Sequence, residues 1–295
     1  MSELIFFLVP PLGVFWLARP LIDLFTRQES VKTNYRGILI TTALGPALLL
    51  GFLIAAAVNL WQGSEPVTWL ALTTVLIGAA FFGLWDDLME DQITGFKGHF
   101  REGLQGRLSA GLLKVATAVL IAFIFTALLE ASPGQRALAF FLLLLSTNGL
   151  NLLDRRPGRA IKAFFLFGLL IVLLALQPER AARLLLPLLS LTLAVAPFDF
   201  NAHGMLGDSG SNLLGAALGG AAVLSLSVPL QLTLLLFWVV LNILAEFISI
   251  SDLIERNNLL RRLDYLGRTG EKMPCRQGLP HTGGERRRIL IDDPD

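Results

Sequence analysis

The stretch Ala137-Leu-Ala-Phe-Phe-Leu-Leu-Leu-Leu-Ser-Thr-Asn-Gly-Leu-Asn-Leu-Leu-Asp154 decides the fold class. Its first part, Ala137–Leu145, holds no polar side chain. A segment on a soluble core would show polar residues at helical or alternating intervals. Here polar groups come only at the end, with Asn148, Asn151 and Asp154 at three-residue spacing. An apolar run that closes on amides and a carboxylate reads as a membrane helix arriving at water.

The same pattern recurs along the chain. Of 295 residues, 54% are hydrophobic and 16% charged, whereas soluble domains carry about 25% charged residues. The charges collect in loops between apolar spans at 3–25, 38–61, 67–85, 108–130, 136–153, 160–177, 181–197, 210–228 and 230–250. Each approaches the ~20 residues that cross ~30 Å of hydrocarbon as a helix. Lipid offers no partner to backbone N–H and C=O groups, so the spans must be helical. The expectation is an all-α polytopic membrane protein with about nine transmembrane helices and a cytoplasmic active-site cleft. The transmembrane domain covers 1–250. A tail, 251–295, carries a short amphipathic helix over Asp252–Leu266 and a basic loop. Pro178-Glu179-Arg180 reads as a tight hairpin between the sixth and seventh spans.

Lys and Arg set the orientation. One set of loops holds Arg27, Lys32 and Arg36, then Lys97, Arg101 and Arg107, then Arg155, Arg156, Arg159 and Lys162. The tail from Arg256 to Arg288 adds nine more, while the opposite loops hold only Arg136, Arg180 and Arg183. This places the N-terminus outside, the C-terminus in the cytoplasm, and the protein in an inner or plasma membrane. The first span lacks the basic flank of a cleaved signal peptide. Cys275 is the only cysteine, so no intramolecular disulfide forms. A net charge of +1 gives no argument for nucleic acid. The basic collar suits anionic headgroups and phosphates.

Three acidic motifs lie at that basic face. Asp86 and Asp87 close the third span, where a carboxylate avoids the ~2.5–3.5 kcal/mol or more that mid-bilayer burial costs. Two adjacent acids at a helix C-terminus repel each other and oppose the macrodipole. A solvated terminus tolerates them, and a divalent cation or a lysine relieves them. Asn148, Asn151 and Asp154 span an arc of ~120° on one helix face. The amides fit a bridge between helices or a ligand contact, and Asp154 fits a ligand site or a pair with Arg155 or Arg156. Gly204-Met-Leu-Gly207-Asp208-Ser209-Gly210-Ser211-Asn212 leads into the eighth span. Ser209 or Ser211 is positioned to cap that helix, whose free N–H groups attract phosphate. Asp208 would reach a phosphate through Mg²⁺. Lys97, His99 and Arg101 sit in a glycine-rich loop and suit phosphate. Thr33-Asn34-Tyr35-Arg36-Gly37 reads as a polar loop. His281 stands beside Arg286-Arg287-Arg288 in the tail.

In their order, Asp86-Asp87, Asn-x-x-Asn-x-x-Asp and Gly-x-x-Gly-Asp-x-Gly-Ser resemble the polyprenyl-phosphate N-acetylhexosamine-1-phosphate transferases, over roughly residues 25–285. The resemblance implies an integral membrane enzyme of glycosyltransferase family 4. Such an enzyme uses Mg²⁺ to move a sugar-1-phosphate from a UDP-sugar to undecaprenyl phosphate, releasing UMP, in cell-envelope or peptidoglycan assembly. It implies Asp86, Asp87, Asp154 and His281 as catalytic residues and Asp208 with Asp87 as metal ligands. Asn148, Asn151, Lys97, His99, Arg101, Arg155, Arg156, Gly207 and Ser209 become the substrate-binding set. The implied partners are polyprenyl phosphate, a UDP-sugar and membrane lipid, with room for a homodimer. Three departures stand out. Where the family usually reads Asp-Gly-x-Asp-Gly, this chain has Asp154-Arg155-Arg156-Pro157-Gly158. His281-Thr282-Gly283 replaces a histidine cluster, and a tenth span is missing. A non-catalytic polyprenyl-phosphate-binding paralogue or regulator is therefore the alternative. A transporter would show mid-membrane ionisable residues and repeated halves, and the sequence shows neither.

Overall fold

A computed structural model describes residues 2–61, 65–89 and 110–268. Among them, nine long helices succeed one another: α1 (Ser2–Arg27), α2 (Leu44–Trp61), α3 (Pro66–Leu88), α4 (Ala110–Ala127), α5 (Pro133–Leu153), α6 (Arg159–Leu174), α7 (Pro178–Phe200), α8 (Gly207–Ser225) and α9 (Val228–Phe247). Two short helices follow, α10 (Ile250–Arg256) and α11 (Asn258–Tyr265). Five helices, α2, α3, α5, α7 and α9, have the length and apolarity to cross a membrane. The protein is thus a helical membrane protein, and two of the other long helices, α6 and α8, differ from the expected spans for visible reasons. With 16 residues, α6 reaches only ~24 Å at 1.5 Å per residue. The central helix, α8, is built from Gly, Ala and Ser and is buried on nearly every side.

Small residues let the helices around α8 approach closely, as membrane interfaces require. A Cβ at Gly45 of α2 would strike the backbone of Gly210, and one at Gly83 of α3 would strike that of Asp208. On the other side of α8, a Cβ at Gly215 would lie 2.6 Å from the Ser146 carbonyl of α5. The interfaces of α8 with α5 and with α3 are the most extensive in the molecule. These contacts bring the C-terminal ends of α3 and α5 to the N-terminal end of α8.

The expected second span, 38–61, begins too early. Leu39–Thr41 is instead strand β2, paired antiparallel with β1 (Val31–Thr33) in the register Lys32↔Ile40. Asn34 makes the turn, its Oδ1 accepting from Arg36 N–H at 2.8 Å and Ile38 N–H at 3.1 Å. Gly37 completes it at φ 77°, a conformation that costs glycine little. Such side-chain-to-backbone bonds favour turns over helix.

Other boundaries shift as well. Pro178, Glu179 and Arg180 are not a hairpin turn but the first turn of α7, with Pro at N1, a position where its missing N–H is no loss. The tail segment is not one helix. It breaks at Asn257, whose side chain accepts from Leu259 and Leu260 N–H and so starts α11. The cap of α8 also differs from expectation. The helix starts at Gly207, so Ser209 and Ser211 lie within it, and Ser211 Oγ donates to the Gly207 carbonyl at 2.8 Å.

Candidate active site

A cleft of 1340 Å³ opens where α3, α5 and α8 converge. One part is polar, lined by Lys32, Asp86, Asn148, Asn151, Asp154, Arg155, Arg156, Asp199, Asp208 and Asn212. The other is apolar, lined by Val75, Ala79 and Phe82 of α3, Val115 and Val119 of α4, and Leu144 of α5.

Asp87 stands behind this lining and organises it. Its side chain is 1% exposed. Oδ1 accepts from Asp208 N–H at 3.1 Å and Oδ2 from Ser209 N–H at 3.2 Å. The N-terminus of α8 is therefore capped by a carboxylate from α3, which satisfies orphan N–H groups and complements the helix dipole. Lys32 Nζ donates to Asp87 Oδ1 at 2.9 Å and to the Asp86 carbonyl at 3.4 Å. Burial alone would push the Lys32 ammonium down, but Asp87, Asp208 and Asp86 together hold it above its ordinary value. Gly207 makes this approach feasible. It sits at φ 63°, and a Cβ there would lie 2.5 Å from Asp87 Oδ2.

Asp154 follows the last residue of α5 as its C-cap. Burial, then the charges of Asp199, Asp208 and Asp87, push its carboxyl well above the ordinary range, with Arg155 opposing. Asn148 Nδ2 donates to Asn242 Oδ1 of α9 at 2.6 Å, while Asn242 Nδ2 donates to the Leu145 carbonyl at 3.1 Å. This amide thus bridges two helices at the cleft wall. Arg156 lies 4.4 Å from the Tyr35 ring centroid, a cation–π contact between the hairpin tip and the loop after α5. It also pairs loosely with Glu255 at 3.9 Å.

Three basic residues of the supposed collar are turned to structure. Arg159 grips Asp264 with two bonds, Nε at 2.9 Å and Nη2 at 3.0 Å. Arg268 joins the same carboxylate at 2.7 Å and donates from Nε to the Pro157 carbonyl at 3.0 Å. Burial would raise the Asp264 carboxyl, but Arg159, Arg268 and Lys162 hold it below its ordinary value. Lys162 Nζ donates to the carbonyls of Leu263, Asp264 and Leu266. The tail helices are thereby fastened to the loop that follows Asp154.

The structure brings together Asp86, Asn148, Asn151, Asp154, Arg155, Arg156 and Asp208 in one cleft. Gly207 and Ser209 are buried next to Asp87 and do not line it. Lys97, His99, Arg101 and His281 lie outside the described residues. Lys32 and Asp199 were not singled out by sequence. A lone lysine before a polar loop carries no pattern, and Asp199 follows Pro197, which reads as a helix end although α7 continues to Phe200.

Among the described residues, no three acids or histidines converge as a ready ligand set. Mg²⁺ does not need one, because it is usually held by one or two carboxylates plus substrate phosphates and water. Asp154 and Asp208, like charges with each other, are hard oxygen donors of that kind.

No curated protein matches the chain. The family model described as glycosyl transferase family 4 matches residues 69–226. That range covers most of α3, all of α4 to α8, and Asp86, Asp154, Asp199 and Asp208, while Lys32 and the tail helices lie beyond it. More than half of the chain carries the match and the motif carboxylates meet in one cleft, so this chain belongs to glycosyl transferase family 4.

Proposed function

We propose that the protein transfers a sugar-1-phosphate from a UDP-sugar to polyprenyl phosphate and releases UMP, as a lipid-linked step in cell-envelope glycan assembly. The observation that carries this is the two-part cleft, in which carboxylates, amides and basic groups adjoin an apolar wall. A polyprenyl chain suits the wall of α3, α4 and α5, and its phosphate suits the polar part. The cleft faces the cytoplasm, and the tail from 251 forms a cytoplasmic appendage.

An oxygen of the lipid phosphate attacks the sugar-linked phosphorus of the donor. The bond from that phosphorus to the bridging oxygen breaks, and UMP leaves with the electron pair. Asp208 and Asp154 are the residues that would hold Mg²⁺, which supplies charge neutralisation for the diphosphate. Asp87 keeps the α8 N-terminus and Lys32 in place. Lys32, beside Asp86, offers a cation to the acceptor phosphate. Asp86 orients that phosphate by accepting its proton. Asn151 and Arg155 meet the donor from the α5 side. Lys97, His99 and Arg101 remain candidates for phosphate contact and His281 for catalysis, all outside the described residues.

The test is UMP release by purified protein in lipid, across a panel of UDP-sugars with undecaprenyl phosphate. A polyprenyl-phosphate-binding paralogue is the second proposal, favoured by Pro157 at the place of the motif's second acid. It predicts thermal stabilisation by undecaprenyl phosphate with no UMP from any donor.

A further inference from the structure

Asp199 is a deeply buried cleft carboxylate with no task in the transfer just described. Asp199, the penultimate residue of α7, is 2% exposed yet belongs to the cleft lining. Its Oδ2 accepts from Gly158 N–H at 2.5 Å, and the Leu206 N–H lies near enough to interact electrostatically with its carboxylate. Gly158 closes the loop that begins at Asp154, and Leu206 is the N-cap of α8, two residues before Asp208. A single carboxylate therefore bonds the segment behind Asp154 and adjoins the segment before Asp208.

The next residue holds Asp199 in place. A Cβ at Gly158 (φ 73°) would strike the Phe200 ring, and one at Gly267 (φ 81°) would come within 3.0 Å of it. Phe200 is thus clasped between the site loop and the tail, with Lys162 Nζ 5.6 Å from its centroid. Burying a carboxylate is expensive, and here Asp154 is a nearby like charge. A neutral amide would offer one acceptor oxygen where the carboxylate offers two, and without the charge that strengthens its bonds to N–H groups.

We infer that Asp199 is a positioning residue: its carboxylate fixes the Asp154 loop against the Asp208 loop, and so sets the spacing of the two acids that meet Mg²⁺ and the donor diphosphate. The inference rests on the proposed transfer for its consequence, but its structural content is measurable without turnover.

The test uses the full-length protein in lipid with Cys275 replaced. Spin labels at Arg155 and His203, both exposed, report the separation of the two loops. Thermal stabilisation of the unlabelled protein, with Arg155 and His203 intact, by Mg²⁺ with UMP reports the metal site. Asp199→Asn is expected to melt near wild type, to broaden or shift the label distance, and to weaken the Mg²⁺–UMP response by about tenfold or more, as loss of charge-assisted hydrogen bonds implies. Asp199→Glu, which keeps the charge, is expected to recover part of that response. It also serves as the deciding variant should Asp199→Asn melt far below wild type. A wild-type label distance in a folded Asp199→Asn protein, or a Glu variant as impaired as the Asn variant, overturns the inference. A wild type that gives no Mg²⁺–UMP response counts against the proposed transfer instead, and the label distance then still decides the role of Asp199.

Discussion

Asp87 and Asp208 touch through a backbone N–H, yet their carboxylates face different surroundings. Asp87 is almost fully buried and bonded by Lys32 and two N–H groups of α8. Asp208 lines the cleft. The two Asn substitutions therefore separate. Asp87→Asn loses a charge-assisted bond and should lower stability by ~1.5–3 kcal/mol, read as a lower melting temperature. Asp208→Asn should melt like wild type and lose Mg²⁺-dependent turnover. If the Asp208 variant keeps wild-type turnover, it has no place in the site. Gly207→Ala adds a Cβ at φ 63°, 2.5 Å from Asp87 Oδ2. It should cost at least ~1–2 kcal/mol for the left-handed backbone alone. A melt unchanged from wild type would contradict the cap geometry. The motif acids were legible because acids at the ends of apolar runs are conspicuous. Which of them faces the cleft was not, since Asp86 and Asp87 are chain neighbours that differ only in where their helix points them.

At the scale of elements, the tail is fastened by one buried carboxylate. Asp264 is 4% exposed and shared by Arg159 and Arg268. Removing one partner of such a buried group costs on the order of 3–5 kcal/mol, so Asp264→Asn should loosen α11. Its folded pKa lies below the ordinary 3.8. The stability it contributes is therefore full above that ordinary value and is lost as pH falls through the folded one. The melting difference between wild type and Asp264→Asn should be flat from neutral pH to about 5 and shrink only in stronger acid. A difference that instead disappears between pH 8 and 6 would assign the effect to another group. The helices themselves were legible from apolar runs, because lipid leaves the backbone no alternative. The β hairpin was not, since Ile38-Leu39-Ile40 is as apolar as a helix start. Only the Asn34 turn distinguishes it, and three-residue strands give too few alternations to see. Likewise Pro197 hid the last turn of α7, because proline reads as a terminator where the surrounding bundle allows the helix to continue.

For the whole molecule, the loop charges predict that the hairpin and the cleft share the cytoplasmic side, opposite the start of α5. With Cys275 replaced, an impermeant thiol reagent on intact cells should label Gly134→Cys, where a side chain meets open space. It should spare Arg36→Cys on the exposed hairpin tip until the membrane is opened. The reverse pattern would invert the orientation. Charge counting shows an asymmetry but not what its members do, since Arg159 and Lys162 are spent on Asp264 and the α11 carbonyls. Loop charges put the three distant motifs at one face, but spacing along the chain says nothing of which helix ends meet in one cleft. The central claim is that this convergence performs phosphoryl transfer to a lipid phosphate. It is tested most directly by mass spectrometry of the lipid product after purified protein is incubated with undecaprenyl phosphate, Mg²⁺ and a set of UDP-sugars. The account predicts an undecaprenyl-diphosphate sugar formed in step with UMP, absent without metal and absent in Asp208→Asn. UMP without the lipid product, or no product from any donor by protein that undecaprenyl phosphate demonstrably stabilises, would contradict it.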